Sequence, residues 1–275
     1  MFESSFQYQM STRELSDLRI LITGASGGIG RALADELLAR GARVLAFARR
    51  AKVLDEWRDG YTTGKISSAG DSLATFAGDV TRAEDRAAAL RLAQERWGGL
   101  DCLVNNAGLG SLGRFADSDP ETLRRVFEVN FFAAVELTRG ALPLLTAGKS
   151  PLIVNIGSIL GHRATPQNSE YCASKFALRG WSESVRPELR RSGIDLLLVS
   201  PGTTESDFYA NTLGPQKSPP WHNPPPISAA EVARQIVRAM ERGSREVIPS
   251  WRGKGLVWAN RLLPGVVERI MRKWG

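Results

Sequence analysis

Cysteine, histidine and long apolar runs are scarce in this chain of 275 residues, and each scarcity excludes a class of protein. The two cysteines, Cys102 and Cys172, are too few for a disulfide framework. The two histidines, His162 and His222, lack metal-ligand spacing, so we expect no metal site. No stretch approaches the ~18 uncharged apolar residues of a membrane span. We therefore expect a soluble, cytoplasmic protein in a reducing compartment.

The charge of the chain is basic but dispersed. A net charge of +7 and a sequence pI of about 9.8 invite a nucleic-acid interpretation. Lys and Arg are instead scattered among 29 acidic residues, without a basic run interleaved with aromatics, so we expect no nucleic-acid partner. Residues 1–17 are polar and lack the apolar core of a signal peptide, and we interpret them as a flexible lead-in.

Strand-like runs alternate with helical patterns along residues 18–250. The runs lie at 19–22, 44–48, 100–104, 152–156 and 194–199, with a further one around Phe76 and a last one at 246–248. The helical patterns cover 29–41, a segment ending near 97, 120–146, 171–193 and 228–243. This alternation predicts an α/β, Rossmann-like, doubly wound and mostly parallel sheet with helices on both faces, in a single domain. The Pro- and Gly-rich segment 203–227 interrupts it, and we interpret that segment as a mobile substrate loop or lid.

A glycine-rich turn joins the first strand to the first helix, with glycines at 24, 28 and 30. Residues without a Cβ let backbone N–H groups approach a pyrophosphate, and the helix N-terminus adds positive potential. Many loops are rich in glycine, but a strand before the turn and an amphipathic helix after it favour the phosphate interpretation.

Tyr171 and Lys175 are four residues apart, and Ser158 lies thirteen residues upstream of the tyrosine. Positions i and i+4 share a helix face, so the phenol and the ammonium can enter one pocket. A phenol titrates near pH ~10, and a nearby cation lowers that value, so the spacing predicts a tuned proton donor. A Tyr–Lys pair on a solvated helix surface is the alternative interpretation.

The complete set of motifs, in this order, resembles the short-chain dehydrogenase/reductase family in its compact single-domain form. The resemblance runs from about residue 18 to residue 246 and rests on Thr23-Gly24, Gly28-Ile29-Gly30, Asp79-Val80, Asn105-Asn106-Ala107-Gly108, Asn130, Ser158, Tyr171, Lys175 and Pro201-Gly202. It implies that Tyr171 is the general acid or base and that Lys175 lowers the tyrosine pKa and holds the nicotinamide ribose. It also implies that Ser158 hydrogen-bonds the substrate oxygen and that Asn130 holds a water linking the lysine to solvent. Alternatively, Asn130 caps a local kink in its helix.

The same resemblance implies a cofactor surface. Its predicted members are Gly24, Ser26, Gly28, Ile29, Gly30, Arg49, Arg50, Asp79, Val80, Asn106, Ala107, Gly108, Tyr171, Lys175, Pro201, Gly202, Thr204 and Ser206. Asn105 and Gly108 are expected to form the adenosine-side wall, with Asp79-Val80 against the adenine. Ser206 occupies the position of a threonine that grips the carboxamide in the family, and Thr204 is the competing candidate. His162 either lines the substrate cleft or is a loop residue without a role.

The end of the second strand bears on the choice of cofactor. A carboxylate there would bind the ribose diol of NAD and repel the extra phosphate of NADP. This chain has Ala48 followed by Arg49 and Arg50, and guanidinium groups suit a 2′-phosphate. We expect NADP (NADPH) rather than NAD, with Arg49 as the main contact. Ordinary surface charge remains the competing interpretation for Arg50, and Ser26 and Gly27 stand where NADP-preferring relatives often carry a basic residue.

Residues 251–275 form an apolar and basic tail rich in tryptophan. It resembles an interfacial membrane-surface helix, but we favour two helices, broken at Pro264-Gly265, that pack on the body or on a second subunit. The leading function is an NADP(H)-dependent oxidoreductase that interconverts a ketone or aldehyde and an alcohol, acting on a small, hydrophobic substrate as a homodimer or homotetramer. The alternatives are a non-catalytic nucleotide sensor on the same fold and a membrane-surface, lipid-modifying reductase that uses the tail.

Overall fold

The computed structural model describes residues 12–64, 71–216 and 225–274, and a parallel seven-stranded sheet forms their centre. The spatial order is β3-β2-β1-β4-β5-β6-β7. The strands are β1 (Arg19–Thr23), β2 (Arg43–Ala48), β3 (Leu73–Ala77), β4 (Cys102–Asn105), β5 (Leu152–Ile156), β6 (Asp195–Val199) and β7 (Glu246–Val247). Every pair of neighbours is parallel, so the doubly wound fold predicted from the sequence is confirmed.

Helices cover both faces of this sheet. They are α1 (Gly28–Leu38), α2 (Ala51–Gly64), α3 (Ala83–Trp97), α4 (Pro120–Phe127), α5 (Ala133–Thr146), α6 (Ser169–Arg191), α7 (Ala229–Glu241), α8 (Trp251–Leu262) and α9 (Pro264–Met271). Alternate strand residues enter two separate cores: Ile20 and Ile22 pack with α1, α2 and α7, whereas Leu21 packs with α3, α5 and α6. Because both faces are covered, the central strands are continuous apolar runs, which is why their positions could be read from the sequence.

Two helical features differ from the prediction. Helix α2 was not predicted; it buries Leu54 and Trp57 against the sheet, and Arg31 lies 4.0 Å from the centre of the Trp57 ring. The single helix predicted at 120–146 contains a π turn, Glu128–Phe132, between α4 and α5. A π turn inserts one extra residue into the helical ladder and is frequent at functional sites. Asn130 lies in its middle.

The described part of the expected lead-in, residues 12–17, packs on the body. Leu15 is 3% exposed, and the backbone N–H of Arg13 donates to the carbonyl of Glu241 at 2.9 Å. The Arg13 guanidinium also forms a buried ion pair with Asp195 at the start of β6. This stretch is therefore held by an ion pair and by apolar burial, contrary to the flexible lead-in that we expected there. Residues 1–11 lie outside the described residues.

The tail forms a helical pair, α8 and α9, that meets at Pro264. Ser250 caps α8 by accepting from the N–H of Gly253 at 2.8 Å, and Val257 and Val267 are buried on the body. An ion pair of 2.5 Å joins Glu268 to Arg163. Within the described residues no helix combines the length and apolarity needed to cross a bilayer. The limits assigned to the lead-in, the central domain and the tail stay predictions.

Candidate functional site

A cavity of about 600 Å³ opens at the carboxyl edge of the sheet, beside β1 and β4. Strand order reverses there, because β2 lies on one side of β1 and β4 on the other. Crevices at such a reversal are where doubly wound sheets bind ligands. The predicted catalytic and cofactor-binding residues line this cavity, except Gly30, Asn105 and Asn130, which lie behind its wall.

The glycine-rich turn forms one wall and is shaped by close backbone contacts. Gly24 and Gly28 have positive φ values of 65° and 54°. A Cβ at Gly30 would lie 2.4 Å from the side-chain nitrogen of Asn106, which itself donates to the carbonyl of Thr23 at 2.9 Å. The turn thus packs tightly on the segment after β4, with the N-terminus of α1 directed at the cavity. This cradle has the shape and positive potential that a pyrophosphate group requires.

Two arginines follow β2 at the rim of the same wall, and both are exposed. Arg50 donates from Nε to the hydroxyl of Ser26 at 3.0 Å and from Nη2 to its carbonyl at 2.8 Å. A Cβ at Gly27 would lie 2.8 Å from that Nη2, so the glycine makes room for the guanidinium. Within the described residues the Arg49 side chain has no hydrogen bond or ion pair. Arg49 is therefore free to bind a ligand, whereas Arg50 is tied to the turn.

Asp79 and Val80 follow β3 and line the cavity beside the arginines. One carboxylate oxygen of Asp79 accepts from the backbone N–H and the hydroxyl of Thr81, each at 2.9 Å. The Val80 carbonyl accepts from Arg86 at 2.8 Å. These bonds fix the two residues as a rigid edge on which a flat apolar ring can rest.

The adenosine-side wall differs in one residue from the prediction. Gly108 lines the cavity, as do Asn106 and Ala107. Asn105 instead turns into the protein, where its side-chain nitrogen donates to Asn155 at 2.9 Å and to Thr138 at 3.0 Å. Asn105 is the last residue of β4, so its side chain follows the strand alternation inward; the expected contact with the cavity is wrong.

Ser158, Tyr171 and Lys175 meet at the centre of the cavity. Ser158 follows β5, and the other two project from the first turns of α6. The Lys175 nitrogen lies 5.7 Å from the centre of the Tyr171 ring and donates to the carbonyl of Ile156 at 2.9 Å. The edge of the Phe208 ring packs against Tyr171, with the ring centres 5.4 Å apart. The side chains thus gather a phenol, a hydroxyl and a buried amine at one point.

Burial dominates the titration of this group. Although the Tyr171 ring keeps some exposure to the cavity, dense surroundings raise the pKa of its phenol, and the hydrogen bond with Ser158 lowers that pKa by less. Burial lowers the pKa of Lys175 to about 8. We expected Lys175 to lower the Tyr171 pKa, but in the structure this pKa is raised. The Lys175 ammonium is directed to the Ile156 carbonyl, and the desolvation of the phenol outweighs its remaining interactions.

Asn130 joins the loop after β4 to α6. Its oxygen accepts from the N–H of Leu109 at 2.7 Å, and its nitrogen donates to the Leu109 carbonyl and the Ser174 hydroxyl, each at 2.9 Å. Ser174 in turn donates to the carbonyl of Tyr171 at 2.7 Å. The π turn is what aims this amide at the loop. Asn130 therefore braces Gly108 and the start of α6 from behind.

The segment after β6 lines the cavity and reaches the glycine turn. Pro201, Gly202, Thr204 and Ser206 all line it. The Thr204 hydroxyl donates to the Gly202 carbonyl at 3.1 Å, whereas the Ser206 side chain is exposed. A Cβ at Gly28 would lie 3.1 Å from that of Ser206. Ser206 is thus the hydroxyl nearer to the phosphate cradle.

The chain is similar to known proteins. Residues 19–216 match the family model described as short chain dehydrogenase. Three relatives are the uncharacterized oxidoreductase YxnA of Bacillus subtilis (31% identical; 96% of this chain, 74% of the relative), the ketoacyl reductase HetN of Nostoc (31%; 95% and 90%) and the mouse dehydrogenase/reductase SDR family member 7B (30%; 92% and 79%). This chain belongs to the short-chain dehydrogenase family.

Solved structures agree with that assignment. A short-chain dehydrogenase of Burkholderia cenocepacia in complex with NADP superposes with a TM-score of 0.78 at 26% identity, covering 94% of this chain and 99% of the other. A Burkholderia phymatum relative in complex with NAD gives a TM-score of 0.80 at 21% identity, with coverages of 90% and 94%, and supports the fold alone. The protein is thus an oxidoreductase by family, with the Rossmann-like fold of its relatives.

The sequence did not predict that this short-chain dehydrogenase buries a carboxylate, Glu170, beside its site. Glu170, next to Tyr171, is 7% exposed and accepts from the hydroxyls of Ser111 at 3.3 Å, Ser169 at 3.0 Å and Ser118. These bonds lower its pKa, although burial opposes them as the largest single effect. Glu170 fastens the loop after β4 to the start of α6. No spacing in the sequence signals such a contact.

His162 does not line the cleft of this dehydrogenase. Its Nε2 lies 3.0 Å from both the Ser200 hydroxyl and a Glu246 carboxylate oxygen, and the imidazole is almost fully buried. The histidine therefore fastens β7 to the segment after β5, and the predicted cleft contact is wrong. Within the described residues no group of His, Cys, Asp and Glu could hold a metal ion; His222 lies outside them.

Helices α8 and α9 contribute an unexpected part of the cavity wall. Arg252, Gly253 and Leu256 of α8 and Met271 of α9 line it, facing the cavity end where Ile159 and Leu160 lie. The sequence alone indicated a tail that packs somewhere on the body or on a second subunit. The structure places one side of that tail over the end of the cleft where Ile159 and Leu160 lie.

Proposed function

We propose that this short-chain dehydrogenase is an NADP(H)-dependent oxidoreductase that interconverts a ketone or aldehyde and an alcohol, with Tyr171 as general acid or base. The observation that carries the proposal is the meeting of Ser158, Tyr171 and Lys175 in the cavity that the glycine turn also lines. The NADP-bound relative from Burkholderia cenocepacia and the ketoacyl reductase from Nostoc point in the same direction.

The cofactor half of the proposal rests on the donors around the turn. Gly24, Gly28 and the N-terminus of α1 would hold the pyrophosphate, and Arg49 would bind the 2′-phosphate with an otherwise uncommitted guanidinium. Arg50 would act indirectly by holding Ser26. Asp79 and Val80 would support the adenine. The nicotinamide group, when bound, supplies the hydride for reduction.

The proton-transfer half follows from the side chains. A carbonyl oxygen placed beside Tyr171 would receive the phenolic proton, while Ser158 donates a second hydrogen bond and stabilises the developing negative charge. Burial raises the pKa of Tyr171, so the phenol is protonated at neutral pH and can donate its proton. Alcohol oxidation would run the same transfer in reverse, with the phenolate as base.

Lys175 and Asn130 would complete the site. The Lys175 ammonium, buried and bonded to the Ile156 carbonyl, would hold the nicotinamide ribose and stabilise transient charge on Tyr171. Asn130 would keep Gly108 and the start of α6 in register, and would hold the water that links the lysine to solvent. In this scheme Ser206 is the carboxamide partner, with Thr204 as the alternative.

The test is a panel of ketones and aldehydes of graded apolarity, followed by the loss of NADPH absorbance. The matched control is the same panel with NADH at equal concentration. We expect turnover of at least one carbonyl class with NADPH and markedly lower kcat/KM with NADH. Turnover with NADH alone would contradict the cofactor assignment, and NADPH binding without turnover of any carbonyl or alcohol would favour a nucleotide sensor.

A further inference from the structure

Helix α8 carries two opposite stripes. At about 100° per residue, Trp251, Trp258 and Leu262 fall on one side of the helix, and Gly253 and Val257 fall on the other. The first set is 76%, 57% and 71% exposed, whereas Gly253 and Val257 are buried on the body. An apolar stripe of this size, directed away from the core, marks a surface that meets another apolar phase.

The second tail helix also exposes apolar side chains. Val266 and Ile270 of α9 are 51% and 45% exposed, while Val267, about 60° from Ile270 around the helix, is buried. Leu263 at the junction is 58% exposed. These exposed apolar side chains of the helical pair are named the tail face: Trp251, Trp258, Leu262, Leu263, Val266 and Ile270.

Cations border the tail face on both sides of α8. Lys254 and Arg261 lie on one flank of its stripe and Arg252 on the other. Arg252 lies 5.2 Å from the centre of the Trp251 ring, and Arg261 lies 5.6 Å from that of Trp258. The tail contains six Lys and Arg residues and one acid, Glu268, whose charge is matched by Arg163.

We infer that the tail face docks on an anionic phospholipid surface, with α8 and α9 lying in the interface. Exposed tryptophans and leucines beside lysines and arginines are the chemistry by which interfacial helices hold anionic bilayers. A second copy of the chain fits less well, because a two-fold contact through this face would set the same cations against one another. Anionic headgroups neutralise them instead.

The docked helices would also lie beside the cleft. The inner side of α8 and α9 lines the cavity through Leu256 and Met271, so the docked face and the substrate end of the cleft share two helices. On the proposed function, the carbonyl substrate would then be an apolar molecule dissolved in the lipid. Docking itself does not depend on that chemistry.

The test is co-sedimentation of the full chain with vesicles of phosphatidylcholine, with and without phosphatidylglycerol. We expect binding to the anionic vesicles, little binding to the neutral ones, and weakening by salt. Lys254→Gln with Arg261→Gln should weaken the affinity about 30-fold, whereas Lys52→Gln with Arg91→Gln, which removes equal charge elsewhere, should not. Failure of the unmodified chain to sediment with anionic vesicles overturns the inference.

A second pair of variants tests the apolar part. Trp258→Ser with Leu262→Ser should weaken vesicle binding about tenfold or more, while Phe115→Ser with Leu123→Ser, also exposed, should leave it unchanged. Light scattering tests whether a second copy of the chain covers the face instead. The face would be assigned to a second copy if the unmodified chain is a dimer that does not bind vesicles and if Trp258→Ser with Leu262→Ser converts this dimer to monomers. None of these readouts uses enzymatic activity, so failure of docking and failure of the proposed reaction remain distinguishable.

Discussion

Replacing Arg49 by alanine gives the sharpest prediction about the cofactor. The guanidinium lies exposed at the cavity rim and, within the described residues, has no partner, so its removal disturbs no other contact. A charge-assisted hydrogen bond contributes about 1.5–3 kcal/mol, and exposure to solvent favours the lower end. We therefore expect NADPH to bind about tenfold more weakly, and NADH with nearly unchanged affinity. Isothermal titration of both nucleotides at two salt concentrations measures the difference.

Two matched variants separate Arg49 from its neighbours. Arg50→Ala removes the bonds to Ser26 and should weaken NADPH and NADH by similar factors, because the turn itself loosens. Arg91→Ala removes an exposed arginine far from the cavity and should change neither affinity. Equal losses of NADPH and NADH in Arg49→Ala would refute the phosphate role, and a selective NADPH loss in Arg50→Ala would move that role to Arg50.

Three further perturbations follow from the geometry. Lys175→Met removes an ammonium whose pKa burial lowers to about 8. Because the unfolded chain binds this proton more tightly, the charged lysine destabilises the fold by up to about 3 kcal/mol below pH 8. The stability advantage of Lys175→Met in urea unfolding should therefore shrink as the pH rises from about 8 to about 10. An advantage independent of pH would contradict that burial. Asn130→Ala leaves the backbone N–H and carbonyl of Leu109 without partners and removes the bond that the Ser174 hydroxyl accepts. It should cost about 2 kcal/mol or more in the same assay, and an unchanged unfolding midpoint would rule out the bracing role. Gly30→Ala places a Cβ 2.4 Å from Asn106 and should abolish nucleotide binding in titrations, whereas Gly180→Ala, which meets nothing within 4 Å, should leave binding intact and stabilise α6.

Strand positions and turn chemistry could be predicted because their causes are local. Buried parallel strands are continuous apolar runs, and β5 has the predicted limits, Leu152–Ile156. The start of the helical pattern predicted at 228–243 is equally local, because the hydroxyl of Ser228 caps that helix by accepting from the N–H of Glu231 at 3.2 Å. The family assignment, confirmed by the comparisons, rested on motifs of this kind.

What the sequence hid depends on contacts between distant segments. The π turn at Glu128–Phe132 sets the Asn130 amide against Leu109 and Ser174 in other segments, and the helical periodicity of the sequence does not indicate those contacts. Asn106 lines the cavity and Asn105 does not, because β4 ends at Asn105. Helix α2 does carry a local signal, because its buried residues Leu54 and Trp57 are at helical spacing.

The titration behaviour of Tyr171 was the least accessible quantity. Spacing placed Lys175 on the same helix face, but the direction of a pKa shift depends on how deeply the hydroxyl is buried and where the ammonium points. Both are set by β5 and by the segment after β6, which pack around α6. A four-residue spacing alone therefore identifies the pair without determining its electrostatics.

The most direct test of the central claim is the turnover of Tyr171→Phe beside its affinity for NADPH. The change removes only the phenolic oxygen, so the ring contact with Phe208 survives. We predict that carbonyl reduction falls by at least about a hundredfold while the NADPH dissociation constant stays within about twofold. Substantial residual turnover, with kcat near that of the unmodified enzyme, would contradict the assignment of Tyr171 as the proton donor.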